Sequence, residues 1–363
     1  KLGSNKIYHE TTTPSLALEN GIKETSLFDS KEGRSAYLFN TTLNGVEESD
    51  FCLLIGTNPR KEAPILNIRL RKRFLQGNYK VASIGPKANL TYNVDHLGND
   101  LNILQSICEN KHPICKHLSK AKKPIIIMGT SVLRHPDATK ILTNIKSITK
   151  FTNILNNDWN GLNILHSSAS MVGALDLGVG SKIALSDSNN SNAEYFVYLL
   201  GADDVKISNP EKHFIVYQGH HGDYGANIAN VILPGSAYTE KTATYVNIEG
   251  RVQQTKSSFY APGNAREDWK ILRALSEVLG HSLPYDSIDD IKSAFMKLAP
   301  HLLHVGQIGN IPQTNLEHIK LENTVLPMSN IPLKPTVENF YLTNAICRSS
   351  QLMAKCASLY KID

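Results

Sequence analysis

Gly219-His220-His221-Gly222-Asp223 puts two imidazoles and a carboxylate within five residues, types that can ligate a metal ion or work as an acid–base pair. Neighbouring side chains on an extended chain point to opposite faces, so one ion would need a sharp turn here. A glycine-flanked turn whose polar groups bond loop backbone accounts for the same residues without a ligand. His112, Cys115 and His117, with Cys108 nearby, form a second set of ligand types, but the basic segment 111–123 around them opposes a bound cation. Gly56-Thr57-Asn58-Pro59 follows an apolar run, and free N–H groups at a helix start favour a phosphate. Asn58 as a cap and Pro59 in the first turn explain those residues equally well with no ligand. Gly178 and Gly180 lack the third glycine of a dinucleotide fingerprint, and neither a Walker loop nor an H-E-x-x-H, G-x-S-x-G or kinase signature occurs. The basic segment from Arg60 to Arg73 could meet nucleic acid or an acidic protein surface; no aromatic stacking platform accompanies it.

The elements that must position these groups are α/β in pattern. Six apolar runs (51–55, 79–84, 124–128, 195–200, 213–217 and 231–233) are continuous enough for parallel strands buried on both faces. A glycine ends or closely follows each run, at the carboxyl edge where doubly wound folds keep their crevices. The spacing predicts a helix from Asn58 carrying Ile65, Leu66, Leu70, Phe74 and Leu75 and ended by Gly77. It predicts another, opened by Asn264 with Glu267 as a capping box, through Trp269, Leu272, Leu275 and Leu279 to Gly280. Residues 186–194 read as a polar surface loop, and the prolines at 312, 327, 332 and 335 turn 301–335 into an irregular strap. The tail 343–361 is amphipathic, with Ile346, Leu352, Met353, Cys356 and Leu359 available to dock. The organisation expected is a first α/β lobe at 1–120, a second at 121–280, and a strap with a docking helix at 281–363.

The 363 residues carry a net charge of +5, with 41% hydrophobic and 20% charged residues, which excludes a disordered or coiled-coil chain. No apolar run approaches the roughly 18 residues of a membrane span. Five cysteines without any C-x-x-C pair argue for a reducing compartment, against a disulfide framework and against an iron–sulfur cluster held by this chain. Lys1 opens the sequence with no secretory pattern, as in a processed chain or one piece of a longer polypeptide.

The segment NVILPGSAYTEKTATYVNIEGRVQ (230–253) resembles the molybdopterin oxidoreductase pattern of a strand ending in Leu-Pro, then Glu, Thr-Tyr, Asn and Glu-Gly-Arg. Within that superfamily LLIGTNPRKEAP (53–64), LTYNVDHLG (90–98), YQGHHGDYGANIANVILPG (217–235), AREDWKILRALSE (265–277), LPYD (283–286) and SSQLMAKC (349–356) resemble the large iron–sulfur subunit family of respiratory NADH:ubiquinone reductase, complex I. The likeness runs from about residue 35 to residue 356.

The resemblance implies two Rossmann-like lobes and a carboxyl-terminal, molybdopterin-oxidoreductase-like part. The cysteine motifs for three iron–sulfur clusters belong to an amino-terminal portion that these residues do not include. It also implies no catalytic, cofactor-binding or metal residue in this chain, since the branch is understood to have lost the pterin. The clusters would sit in the partner amino-terminal half. Further partners would be the flavoprotein and other peripheral-arm subunits of complex I, without nucleic acid. Membrane association would be indirect, at the matrix side of the mitochondrial inner membrane or the cytoplasmic face of a bacterial plasma membrane. The leading expectation is therefore a scaffolding segment supporting NADH-to-ubiquinone electron transfer. The alternative is a molybdopterin- or nucleotide-binding oxidoreductase fragment using the glycine-ended crevice. Two residue-level expectations follow: Trp269 fully buried, and Arg251 in a bidentate, partly buried pair with Glu249 or Glu240.

Overall fold

The computed structural model describes residue 7 and residues 34–179, 194–203, 205, 207, 209–308 and 328–359. Apolar runs flanked by glycine become strands β1 (Phe51–Ile55), β2 (Lys80–Ile84), β3 (Asp95–Gly98), β4 (Pro124–Gly129) and β5 (Leu162–Leu165). They pair in the order β3-β2-β1-β4-β5, all parallel, with Phe51 opposite both Lys80 and Pro124. Every side chain of β1 and β4 is buried, as the continuous runs require. Helices Asn102–Cys108 and Ala138–Thr149 cover one face through Leu104, Ile107, Ile141, Ile145 and Ile148. Helix Pro64–Leu75 covers the other through Leu66 and Leu70. The boundary expected at residue 120 falls inside this sheet; the change of sheet comes between Leu165 and Phe196.

The second sheet is smaller: β6 (Phe196–Leu200), β7 (Phe214–Gly219) and β8 (Val231–Pro234), parallel, in the order β8-β7-β6. Val197, Leu199, Ile215 and Tyr217 build its core face. The other face is only partly buried: Val216 and Gln218 are covered, while Phe196 and Phe214 stack on each other, 6.0 Å between centroids, and remain exposed. A hairpin, β9 (Thr244–Val246) and β10 (Val252–Gln254), frames Glu249-Gly250-Arg251. Its Val246 and Val252 join Tyr37, Leu38, Met171, Leu175 and Leu302 in a separate core.

A buried carboxylate locks that core. Asp176 accepts from Arg34 Nε and Nη2 at 2.9 Å each and from the Tyr37 hydroxyl at 2.7 Å, and His301 Nε2 lies 2.9 Å away. Burial opposes its charge, but His301, Arg34 and Tyr37 together hold the Asp176 carboxyl below the usual range. Gly250 supplies the space: with φ +86°, a Cβ there would press on the Arg34 guanidinium at 3.0 Å.

Several helix expectations change. Pro64 splits the first helix into Pro59–Glu62 and Pro64–Leu75, the Asn58 side chain makes no cap, and Ile65 and Leu75 are exposed. Glu62 replaces the cap by reaching back to the Asn58 N–H at 2.6 Å. Asn264 opens no helix, since Asp268–Val278 begins four residues later behind Glu267. The capping box lies instead at Ser287 and Asp290, ahead of Ile288–Leu298. The tail docks by charge more than by its apolar face: Arg348 pairs with Asp223, whereas Leu352 and Leu359 stay exposed. Residues 186–193 of the expected polar loop lie outside the described residues, as do residues 309–327 of the strap.

Trp269 is half-buried, with Lys270 Nζ 5.5 Å above its ring, so the full-burial expectation does not hold. Trp159 is the buried indole, donating to the Pro124 carbonyl at 2.9 Å. In urea titrations Trp159→Ala should cost about 3–5 kcal/mol and Trp269→Ala about 1–2 kcal/mol; the reverse order would show the packing to be misassigned. Asp176→Ala strands the Arg34 charge and should cost about 3–5 kcal/mol near neutral pH. Because the folded Asp176 pKa is depressed, its contribution is present above the ordinary carboxylate pKa and is lost as pH falls through the lower folded value. Acid titration of the variant should lack that component; an unchanged acid limb would count against the tie.

Candidate functional site at the carboxyl edge of the first sheet

The strand order reverses between β1 and β4, and in open α/β sheets ligands bind in the crevice at such a point. Gly56, φ +57°, leaves β1 there, and Gly129 ends β4 so close that a Cβ would run into the Gly56 carbonyl. Ser131 Oγ donates to that carbonyl at 2.5 Å. Leu333, only 2% exposed, comes from the carboxyl-terminal strap and lies where a Cβ on Gly56 would meet it at 3.2 Å.

Four bonds hold the strap down. Asn99 Nδ2 donates to Leu333 O at 3.2 Å. His135 Nε2 sits 3.0 Å from Ile331 O, while its Nδ1 accepts from Asp137 N at 3.0 Å, so the proton is on Nε2. Asp137 Oδ2 takes the Ser329 N–H at 2.7 Å and the Ser329 hydroxyl as well.

The Gly56-Thr57-Asn58-Pro59 loop binds an anion of its own chain. Glu62 accepts from Thr57 Oγ1 at 3.0 Å and from Asn58 N at 2.6 Å, and burial pushes its carboxyl up. Beside it lies a cavity of about 260 Å³ lined in part by Glu62, His166, Ser167, Ser168, Met171 and Asn247. That is under the roughly 300–1,000 Å³ of typical ligand pockets. Its polar walls are already engaged: His166 Nε2 is 2.7 Å from Tyr37 O, and Ser170 Oγ accepts from Val246 N at 3.1 Å.

The other candidates do not assemble into a site. A turn after Gly219 brings the His220 and His221 Nδ1 atoms to 2.7 Å, against the expectation of opposite faces. Burial and the neighbouring His221 depress the His220 pKa, Tyr217 OH donates to His221 O at 2.7 Å, and Asp223 is taken by Arg348. Cys115 is buried with Sγ 3.6 Å from Ile107 O, and His112 Nδ1 accepts from Ile114 N. No group of three His, Cys, Asp or Glu among the described residues could hold a metal ion.

Sequence reading missed Gln218 and Asp268. Fully buried Gln218 accepts from Tyr198 OH at 2.5 Å and donates to Asp268 Oδ1 at 2.9 Å, and Asp268 also pairs with Lys241. The signal in the sequence was a lone polar residue closing an apolar run. Arg251 makes no bidentate pair. Its Nε is 3.3 Å from Glu249 and its Nη1 donates to Gly306 O at 2.6 Å, while Glu240 instead caps Ala237 N at 3.0 Å. Buried Glu249 accepts from Leu43 N at 3.0 Å.

Comparison with known proteins agrees with this architecture. The family described as Molybdopterin oxidoreductase matches residues 1–278. A second family, the C-terminal region of an NADH-ubiquinone oxidoreductase subunit, matches residues 311–356. The chain is 60% identical to the NADH-ubiquinone oxidoreductase 75 kDa subunit of Reclinomonas americana, over 100% of this chain and 52% of that protein. It is 44% identical to the mitochondrial 78 kDa subunit of Candida albicans, over 90% of this chain and 45% of that protein. It is 43% identical to the mitochondrial NADH dehydrogenase [ubiquinone] iron-sulfur protein 1 of Solanum tuberosum, over 99% of this chain and 46% of that protein. The chain thus spans about half the length of these relatives. It belongs to the molybdopterin oxidoreductase family, alongside subunits of NADH-ubiquinone oxidoreductase.

Proposed function

We propose that the chain is the scaffolding part of an NADH:ubiquinone reductase subunit and carries no redox centre of its own. The reading rests on one observation: the crevice at the β1/β4 reversal is filled by Leu333, Ser131 and the Glu62 carboxylate. A pterin dinucleotide needs that space and those N–H groups for its phosphates. A carboxyl group already bonded to the loop, and an aliphatic side chain over the glycines, do not fit the group. The alternative, a pterin- or nucleotide-binding oxidoreductase fragment, has no arrangement of side chains among the described residues in its favour.

In this role the chain supports electron transfer by holding neighbours in place. Its partners are an amino-terminal half bearing iron–sulfur clusters, the flavoprotein and other peripheral-arm subunits. The proposed setting is the matrix side of the mitochondrial inner membrane; the names of the Candida and Solanum relatives support the mitochondrion alone. No helix among the described residues is long and apolar enough to cross a membrane.

The deciding measurement is elemental molybdenum and tungsten together with fluorescent pterin in the purified reductase. We expect all three far below one per complex, and a stoichiometric amount of any would sink the reading. Substitutions supply a second check. Asp176→Ala should lower the amount of assembled reductase several-fold with normal turnover per assembled complex. Arg251 is 38% exposed, so after solvent screening Arg251→Ala should cost only about 1 kcal/mol or less and assemble near normally. Normal assembly with collapsed turnover in either variant would reveal a chemical role.

A further inference from the structure

Helix Pro64–Leu75 is apolar on two opposite sides. Leu66 and Leu70 are buried against the sheet. Ile65, Ile68 and Leu75 point the other way and are 66%, 60% and 68% exposed. A surface helix that packs on one side only is polar on the other. Single exposed aliphatics are ordinary, but these three, with Lys72 between them, follow the 3-4-3 spacing of a helix–helix seam.

The charges beside the seam are mostly basic, with Glu47 the one acid paired there. Arg71 is exposed on one flank, and Arg69 and Lys72 share a single carboxylate, Glu47, at 2.8 and 2.6 Å. Exposed Arg60 precedes the helix. Glu62, the acid nearest the helix in sequence, is turned inward onto the Thr57-Asn58 loop. We infer that the outer face of Pro64–Leu75 docks an acidic amphipathic helix of a partner polypeptide, whose aliphatic ridge meets Ile65, Ile68 and Leu75 and whose carboxylates meet Arg71, Lys72 and Arg60.

A second copy of this chain fits poorly, because it would bring like charges face to face. Nucleic acid fits poorly as well. Arg73 is spent on Ser49 O and Gly77 O, at 2.7 and 2.9 Å, and an aliphatic ridge offers phosphates nothing. The inference deepens the scaffolding role and rests on it.

The test uses the full chain in its native assembly. Ile68→Asp and Arg71→Glu should each lower the fraction migrating with the reductase on native gels by about tenfold, equivalent to one decade in affinity. Ile68→Leu and Arg71→Lys should keep it at the wild-type level, which separates a lost interface from a lost fold. A photoreactive benzoylphenylalanine at position 68 should cross-link to a partner peptide rich in Asp and Glu with aliphatics three and four residues apart. Wild-type incorporation of both charge-introducing variants would overturn the inference, as would a cross-link to a basic segment, to nucleic acid or to a second copy. Those results would leave the scaffolding role standing. Absence of the wild-type chain from any large assembly would overturn both.

Discussion

The Asp176 carboxylate is the interaction on which the middle of the molecule depends. It draws together Arg34, Tyr37 and His301, each more than a hundred residues from it in sequence. A buried charge is tolerable only when its lone pairs are filled, and here two guanidinium N–H groups and a phenol fill them, with an imidazole 2.9 Å away. The hairpin core has a fixed depth because Arg34 can sit only where Gly250 leaves room. Glu249-Gly250-Arg251 is therefore read best through its glycine. The flanking residues fasten the loop, Glu249 to Leu43 N and Arg251 to Gly306 O.

The two parallel sheets have taken opposite courses. In the first, the edge where a ligand would lie is closed by the chain's own side chains, with a leucine against glycines and a carboxylate against loop N–H groups. In the second, the corresponding edge holds the Tyr198–Gln218–Asp268–Lys241 chain, whose bonds run between strands and the next helix. Both edges are polar or glycine-rich, as ligand sites are, yet their donors and acceptors are turned toward protein. Keeping hydrogen-bonding capacity while redirecting it is how such a fold persists as architecture.

All six apolar runs became strands, because an unbroken apolar run bounded by glycine can be read directly even where, as in the second sheet, the strand ends up partly exposed. β5 was hidden by Asn163, a polar residue in a core strand, satisfied by Thr41 and by the carbonyls of Ile126 and Gly161. β3 was hidden by its short, polar, half-exposed edge position. The crevice itself was legible in its glycines, but its closure was not. Leu333 stands among prolines with no periodicity, and nothing local says that it travels back to Gly56. The same limit applies to Arg34 under Gly250, 216 residues apart. For Arg251 the pair with Glu249 was legible but its bidentate form was not, because the guanidinium turns to Gly306 O and the two acids have nearer backbone donors.

The strap has a consequence for the time course of folding. All five strands of the first sheet are in hand once β5 has been made, yet Ile84, Met128 and Val132 share their core cluster with Met328 and Leu333. Closing that layer requires a contact of very high sequence separation, which is slow because loop entropy must be overcome first. During synthesis the nascent sheet therefore waits with an open apolar mouth while the second sheet and hairpin emerge. That interval exposes apolar surface of the kind that makes folding intermediates prone to aggregate, and the strap ends it.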